Sequence, residues 1–384
     1  MRRGSMRIAV FGGSFDPVHT EHIRLSQAAI RELGLDKLIV MPAHAPPHKP
    51  WRTLAKDEER LKLCELAFAD EERVEVSDYE IRRGGTSYTY LTCRHFKEKY
   101  PQAELFWLVG ADMLRDFPTW KNPESILNDA TLAVCGRAED KGELEGDFFK
   151  RFGKNFVRLA YDGADVSSTK IRVLAGAGMD VSAYTPLSVA EYIQKKGVYR
   201  IENAASALSL EKETRRAHSL RVAEVAAKRA GGLKISEEKA IAAALFHDCA
   251  KNLGEDSPYL SGFVLPTEWG EVPKEVVHQF AGAYVAEKAF GVTDREILNA
   301  IAYHTSAREN MGELEKLIFL ADMIEPSRSY EGVEILRDLF WQGDSLDLCL
   351  EEALRQTLVF LKRKGGEIFP LTVAAYEFYK NLRR

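Results

Sequence analysis

Up to about residue 200, short apolar runs alternate with stretches of helical periodicity. The runs Arg7–Phe11, Lys37–Met41, Val74–Val76, Leu105–Val109, Leu132–Val134 and Phe156–Leu159 predict strands, with helices between most of them. Strand and helix in alternation imply a parallel sheet with helices on both faces. From about residue 205 the strand signal stops, and long helical periodicities take over at Leu210–Ala230, Ser236–Phe246, Asp294–Tyr303 and Ser345–Lys362. The second half is therefore expected to be all-α. A helix predicted over Leu187–Lys196 ends in Gly197, a residue suited to a helix C-cap, which places the junction near Gly197–Ala205. There is no internal repeat and no low-complexity tract.

At 384 residues the chain exceeds what one compact core usually holds. The expected division is a first domain over 6–200, a linker over 201–207 and a second domain over 208–384. Residues 1–5 read as a vector-derived leader, with Met6 as the native start. Hydrophobic residues at 45% and charged residues at 29% suit a soluble globular protein. No run of about 18 apolar residues exists that could span a bilayer. Residues 1–200 carry 30 basic against 29 acidic side chains, and residues 201–384 carry 23 against 29. Neither half looks built for a nucleic-acid backbone. The five cysteines are odd in number, scattered and never in a C-x-x-C pair, so they read as reduced thiols of a cytoplasmic protein. A homo-oligomer is left open.

The most informative segment is Ile8–His22, a hydrophobic strand that runs into a Gly-Gly turn and then a helix. Gly12 and Gly13 let the backbone approach a ligand closely, and the helix that follows directs unpaired N–H groups and its positive dipole end at an anion. His19 and His22, three apart, lie on one face and can both donate to phosphate oxygens. A second piece, Val166–Arg172, opens another helix with hydroxyls suited to capping and two cations within one turn. Two anion sites on one α/β sheet suggest a triphosphate.

The pairing of Gly-Ser-Phe-Asp-Pro-x-His-x-x-His (Gly13–His22) with Ser-Ser-Thr-x-Ile-Arg (Ser167–Arg172) resembles the signature of the nucleotidylyltransferase superfamily. Pro46-Pro47-His48-Lys49, Thr86-Ser87-Tyr88-Thr89, and Gly110-Ala111-Asp112 with Trp120 narrow the resemblance to the bacterial nicotinate-nucleotide adenylyltransferases, over nearly all of residues 6–200. It implies a Rossmann-like domain that joins the phosphate of nicotinate mononucleotide to the α-phosphorus of ATP, releasing pyrophosphate. By that resemblance ATP meets Gly12, Gly13, Ser14, Phe15, His19, His22, Ser167, Ser168, Thr169 and Arg172. The mononucleotide meets Lys49, Thr86, Tyr88, Thr89, Asp112 and Trp120. Catalysis would be positioning plus charge stabilisation, with His19 and His22 on the phosphates, and Arg172 and a magnesium ion on the leaving pyrophosphate. One position departs from the family. Glu21 stands between the two histidines, where the family has a small residue, and a carboxylate beside a triphosphate weakens binding unless it points away or meets a cation.

The second half places four histidines, His218, His247, His278 and His304, in segments otherwise read as helical, together with Asp248 and Asp322. Apart from the adjacent His247-Asp248 pair, each comes from a different predicted helix, so a metal could pin several helices around one cavity. Six imidazole or carboxylate ligands without sulfur suit a pair of iron, manganese or similar ions. Ala242–Lys251 resembles the signature of the HD superfamily. Tyr303-His304-Thr305 and Leu320–Arg328 extend the resemblance to bacterial HD hydrolases that cleave diadenosine tetraphosphate into two ADP. That resemblance implies Asp248 as a bridge between two metal ions, with Lys251 and Arg328 as phosphate contacts.

The expected protein is thus a two-domain enzyme acting on ATP, nicotinate mononucleotide and diadenosine tetraphosphate. Two alternatives stay open. One keeps both folds but changes substrates, to nicotinamide mononucleotide or pantetheine phosphate in the first half and general nucleotides in the second. The other makes one half a nucleotide sensor.

Overall fold

The computed structural model describes residues 5–47, 55–135, 143–161, 163–164, 166–268 and 270–382; the side chains of residues 112 and 143–145 lie outside that description. Among the described residues the chain forms two compact units. The first holds 5–47, 55–171 and 181–198, and the second holds 172–180 and 199–382.

The first unit is built on six parallel strands, β1 (Arg7–Gly13), β2 (Lys37–Pro42), β3 (Val74–Val76), β4 (Glu104–Gly110), β5 (Thr131–Cys135) and β6 (Val157–Leu159), in the order β3-β2-β1-β4-β5-β6. Ile8, Ala9 and Val10 of β1 and Leu38, Ile39, Val40 and Met41 of β2 are fully buried. Apolar runs without polar alternation form strands of this kind because both sheet faces are covered. Strand order reverses between β1 and β4, and in open parallel sheets ligands bind beyond the carboxyl ends of the strands at such a switch point. Gly12, Gly13 and Gly110 stand there.

The second unit is helical. Its core joins Glu213–Ala230, Glu237–Phe246, Lys274–Lys288, Arg295–Ala302, Glu313–Ile324 and Asp347–Lys364, with Val222, Ala243, Leu317, Leu320 and Leu354 fully buried. Helix starts follow their caps: Ser236 Oγ accepts the Lys239 amide, and Asp294 Oδ1 accepts the amides of Glu296 (2.8 Å) and Ile297 (3.3 Å). Helix Leu187–Lys196, in the first unit, ends as its sequence predicts, with Gly197 left-handed (φ 65°). Residues 201–207, expected as a linker, carry helix Ala204–Ser209, whose Ala204 and Ala207 are fully buried in the helical core. Val173 and Ala177, which follow the Ser-Ser-Thr segment, join that same core, so the second unit begins earlier in sequence than composition suggests. Among the described residues, no helix is long and apolar enough to cross a membrane.

Candidate functional sites

β1 carries its glycines to the edge of a cavity of about 370 Å³, lined by Gly12, Gly13, Ser14, His22, Tyr88, Thr89, Trp107, Gly110 and Trp120 among others. Gly12 is required by contact: a Cβ there would lie 2.7 Å from Cζ2 of Trp107. Gly12→Ala should therefore destabilise the first unit by about 1–3 kcal/mol through overpacking. A thermal melt that leaves the transition of this unit unmoved would contradict the contact. The loop after β1 is held from behind by Arg60, fully buried, which donates to the carbonyls of Ser14 (2.7 Å) and Ala43 (2.6 Å).

His19 caps helix Thr20–Glu32 and His22 lies in its first turn. The His19 amide donates to Nδ1 of His22 (3.1 Å), so the proton of His22 sits on Nε2 and is available as a donor. The two rings stack at 3.7 Å, and Phe15 closes on His22 at 4.9 Å. Burial pushes His19 down to about 4, and burial together with His19 pushes His22 well below the usual imidazole range. Both are neutral at pH 7, so they serve as hydrogen-bond donors rather than cations.

The second anion segment begins helix Ser168–Gly176. Ser168 Oγ donates to the Pro17 carbonyl (2.9 Å) and Ser167 Oγ accepts the Lys170 amide (3.2 Å), which ties the segment to the loop after β1. Arg172, expected on the phosphates, instead donates from Nε to Glu237 Oε1 (2.6 Å) and is only 4% exposed. A buried guanidinium needs a carboxylate, and Glu237 meets that need. Glu21 takes one of the alternatives left open for it, since its carboxylate meets a cation, Arg24, together with the Tyr161 hydroxyl and the Ala164 amide.

Among the expected mononucleotide residues, Tyr88, Thr89 and Trp120 line the cavity. Thr86 sits behind them, bridged to Ala45 and accepting at its carbonyl from Arg83 (2.6 Å). Lys49 lies outside the described residues, as does the side chain of Asp112. Trp107, Glu80 and Ser87 are among the cavity residues for which no site role is expected from sequence. Trp107 was hidden in an apolar strand. Glu80 accepts from Thr92 (2.5 Å), and Ser87 Oγ accepts the amides of His44 and Ala45.

In the second unit His218, His278 and Asp322 lie on helices, whereas His247 and His304 do not. Both fall just past a helix end, at the C-cap of Glu237–Phe246 and in the turn after Arg295–Ala302. There the rings bond back to their own helices, His247 Nδ1 to the Ala244 carbonyl (2.6 Å) and His304 Nδ1 to that of Ile301 (2.7 Å). Nδ1 of His218 meets Glu325 Oε1 at 3.1 Å. In all three, Nδ1 faces an acceptor, an arrangement that favours the proton there and turns Nε2 toward the other candidate ligands.

These nitrogens surround Asp248, which is 2% exposed. Its Oδ2 lies 3.5 Å from His247 Nε2, and its Oδ1 lies 3.4 and 3.5 Å from Nε2 of His278 and His304. Asp322 Oδ1 is 2.9 Å from His218 Nε2. Three ligand groups result, His218-His247-Asp248, His247-His304-Asp322 and Asp248-His278-His304, and Asp248 belongs to two of them. His247 Nε2 and Asp248 Oδ1 are buried without a hydrogen-bond partner, a costly arrangement that a cation resolves. Burial lowers His247 to about 4, leaving it in the neutral form that binds metal. Burial opposes ionisation of Asp248, but the imidazoles, His247 first, outweigh it and hold the carboxyl well below its usual range.

Lys251 Nζ sits 3.0 Å from His278 Nε2, and Arg328 pairs with Asp322 and donates from Nε to its carbonyl (2.9 Å). Arg328, expected as a phosphate contact, thus holds the carboxylate of a candidate ligand. Two further residues escaped the sequence reading. Arg215 meets Asp248 Oδ2 at 3.0 Å, and Glu325, 1% exposed, accepts from Arg221 (2.7 Å) and the Ser327 amide (2.8 Å) while it orients His218. Spacing carried the signal, since Arg215 precedes His218 by one turn and Glu325 follows Asp322 by one. Glu325→Ala should weaken metal retention about 10- to 100-fold by releasing the His218 ring. Competition with a chromophoric chelator measures this, and unchanged retention would remove Glu325 from the account.

Two family models match the chain, a cytidylyltransferase-like model over residues 10–174 and an HD domain model over 215–327. A probable nicotinate-nucleotide adenylyltransferase of Clostridium tetani is 36% identical over 200 residues, covering 50% of this chain and 98% of that protein. A probable nicotinate-nucleotide adenylyltransferase/Ap4A hydrolase of Mycoplasma genitalium is 29% identical over 336 residues, 86% of this chain and 91% of the relative. Among solved structures, one described as a predicted HD superfamily hydrolase involved in NAD metabolism, from Clostridium acetobutylicum, aligns at 32% identity and a TM-score of 0.42 over 47% of this chain and 96% of its own.

Proposed function

The chain belongs to the nicotinate-nucleotide adenylyltransferase family and carries an HD domain, and on that premise we propose a cytoplasmic enzyme with two activities. The first unit transfers the adenylyl group of ATP to nicotinate mononucleotide. The second hydrolyses diadenosine tetraphosphate to two ADP. The observation that carries the reading is that one chain holds a glycine-edged cavity beside two donor histidines and, separately, a buried carboxylate shared by two groups of histidines. Five buried, unpaired thiols suit a reducing compartment.

In the transfer reaction a phosphate oxygen of the mononucleotide attacks the α-phosphorus of ATP, and the bond to the β-phosphate breaks to release pyrophosphate. Gly12 and Gly13 give the triphosphate close backbone approach, and the Nε2–H of His22 and the ring of His19 donate to its oxygens. Ser167, Ser168 and Thr169 hold its far end. Tyr88, Thr89 and Trp120 receive the mononucleotide, with Trp120 stacked on the pyridine ring, and the family resemblance adds Lys49 for its phosphate together with Thr86 and Asp112. A magnesium ion, when bound, neutralises part of the triphosphate charge. Arg172 joins the pyrophosphate only if it exchanges its Glu237 partner for phosphate.

In the hydrolysis, two transition-metal ions, iron or manganese, supply Lewis acidity and water activation when bound. Asp248 presents one oxygen to each ligand group, the four histidines and Asp322 complete them, and Lys251 with Arg328 holds phosphate oxygens. Water adds at one of the two central phosphorus atoms, the central P–O–P link breaks, and two ADP leave. Turnover of nicotinate against nicotinamide mononucleotide, and of diadenosine tetraphosphate against ATP and ADP, tests the assignment. Preference for the second member of either pair would sink that half.

A further inference from the structure

Glu21 occupies the place between the two phosphate-site histidines, yet its carboxylate is fully engaged elsewhere. It is 8% exposed. Oε1 accepts from Arg24 (2.8 Å), and Oε2 accepts from the Tyr161 hydroxyl (2.5 Å) and the Ala164 amide (2.7 Å). Burial opposes ionisation, but Tyr161, Ala164 and Arg24 together outweigh it, so the carboxyl stays charged. Tyr161 is pushed the opposite way by burial and by Glu21, and remains a donor. The fit on the other side depends on Gly163, where a Cβ would approach Oε2 to 3.2 Å.

The same helix grips the same segment at a second point, because Glu32 Oε2 accepts the Ala160 amide at 2.8 Å. Ala160, Tyr161, Gly163 and Ala164 lie in sequence between β6 and the Ser167-Ser168-Thr169 segment. The Val166 amide returns to the Ala164 carbonyl (2.8 Å), and Ser168 reaches across to the Pro17 carbonyl (2.9 Å). The helix that begins at His19 thus fixes the approach to the second anion segment.

Resting on the adenylyl-transfer reading of this site, we propose that Glu21 is a positioning residue. It locks Tyr161 and Ala164 onto the helix carrying His22, and so sets the spacing between the two halves of the triphosphate cradle. This role has a sign. A carboxylate that repels triphosphate weakens ATP binding, and its removal strengthens it. A carboxylate that fixes the cradle does the reverse, and misplacement of a positioning group by about 1 Å costs up to about 100-fold.

The test uses the intact chain as wild type, Glu21→Ala, Glu21→Gln, Tyr161→Phe and the Glu21→Ala/Tyr161→Phe double variant. ATP affinity is read by calorimetric titration, KM and kcat by adenylyl transfer, and the order of residues 160–169 by hydrogen exchange. Glu21→Ala should weaken ATP binding and raise the ATP KM by at least about tenfold, with a smaller fall in kcat and faster exchange at 160–169. Glu21→Gln, which keeps an acceptor for the Ala164 amide, should recover most of the affinity. Tyr161→Phe should shift affinity the same way by less, and the double variant should be little worse than Glu21→Ala alone, because the two residues act through one contact. ATP binding by Glu21→Ala that equals or exceeds wild type overturns the proposal. So does a loss of thermal stability without any change in affinity, which is the mark of a merely structural residue. If wild type binds ATP but transfers no adenylyl group, the functional reading fails, while affinity and exchange still decide the role of Glu21.

Discussion

Asp248→Ala is expected to strip the helical unit of bound metal and to lower diadenosine tetraphosphate hydrolysis by roughly a thousandfold, leaving adenylyl transfer within about twofold of wild type. The size follows from geometry. Asp248 belongs to two of the three ligand groups, and its two oxygens face different histidines, so its loss disables both groups at once. It also leaves Arg215 without its carboxylate partner among buried imidazoles. Loss of the shared ligand removes the several kcal/mol of transition-state stabilisation that bound metal supplies, and each 1.4 kcal/mol is about tenfold in rate. Elemental analysis of protein purified without chelator should find about two transition-metal equivalents in wild type and none in the variant. Metal retained at the wild-type level would show that the cluster is not a metal centre.

His19→Ala carries the second large expectation, a fall in kcat/KM for adenylyl transfer of about 100- to 1,000-fold. Removal of one preorganised donor to a developing oxyanion has that magnitude. His22→Ala should be comparable, and the double variant should fall short of the product, because His22 Nδ1 accepts the His19 amide and the rings stack. The same substitution changes acid sensitivity in a stated direction. His19 titrates near 4 when folded and near 6.5 when unfolded, so the unfolded chain takes up the proton first. Acidification from pH 6.5 toward 4 therefore removes stability, by up to about 3 kcal/mol from this residue alone. Chemical denaturation at pH 7 and pH 5 should show His19→Ala losing less stability between the two than wild type. Equal losses would mean that His19 is not held neutral by burial.

The sheet was largely legible because parallel strands buried on both faces leave continuous apolar runs. β3 matches its predicted span, and the other strands extend or shorten it by a residue or two. Helix starts at Ser236 and Asp294 were legible for a local reason, a side chain bonded to amides two or three residues on. The convergence of four histidines with Asp248 and Asp322 into candidate metal groups was legible because residue type alone singles these side chains out. What escaped depends on partners distant in sequence. The direction of the Glu21 carboxylate is decided by Tyr161 and Ala164, and that of Arg172 by Glu237. His247 and His304 looked helical because their flanks are apolar, yet each ends its helix by bonding back to a carbonyl three residues earlier. Residues 201–207 looked like a linker because alanine and serine carry little periodic signal, although Ala204 and Ala207 pack into the helical core.

Both reactions measured on the intact chain, with His19→Ala and His247→Ala as separate knockouts, test the central claim most directly. Among the described residues the candidate metal groups and the cavity lining have no side chain in common, so His19→Ala should lower formation of the dinucleotide from ATP and nicotinate mononucleotide by about 100- to 1,000-fold and spare hydrolysis of diadenosine tetraphosphate. His247→Ala should do the reverse. A single substitution that silences both reactions, or a wild-type chain that carries out neither, would contradict an enzyme with two independent sites.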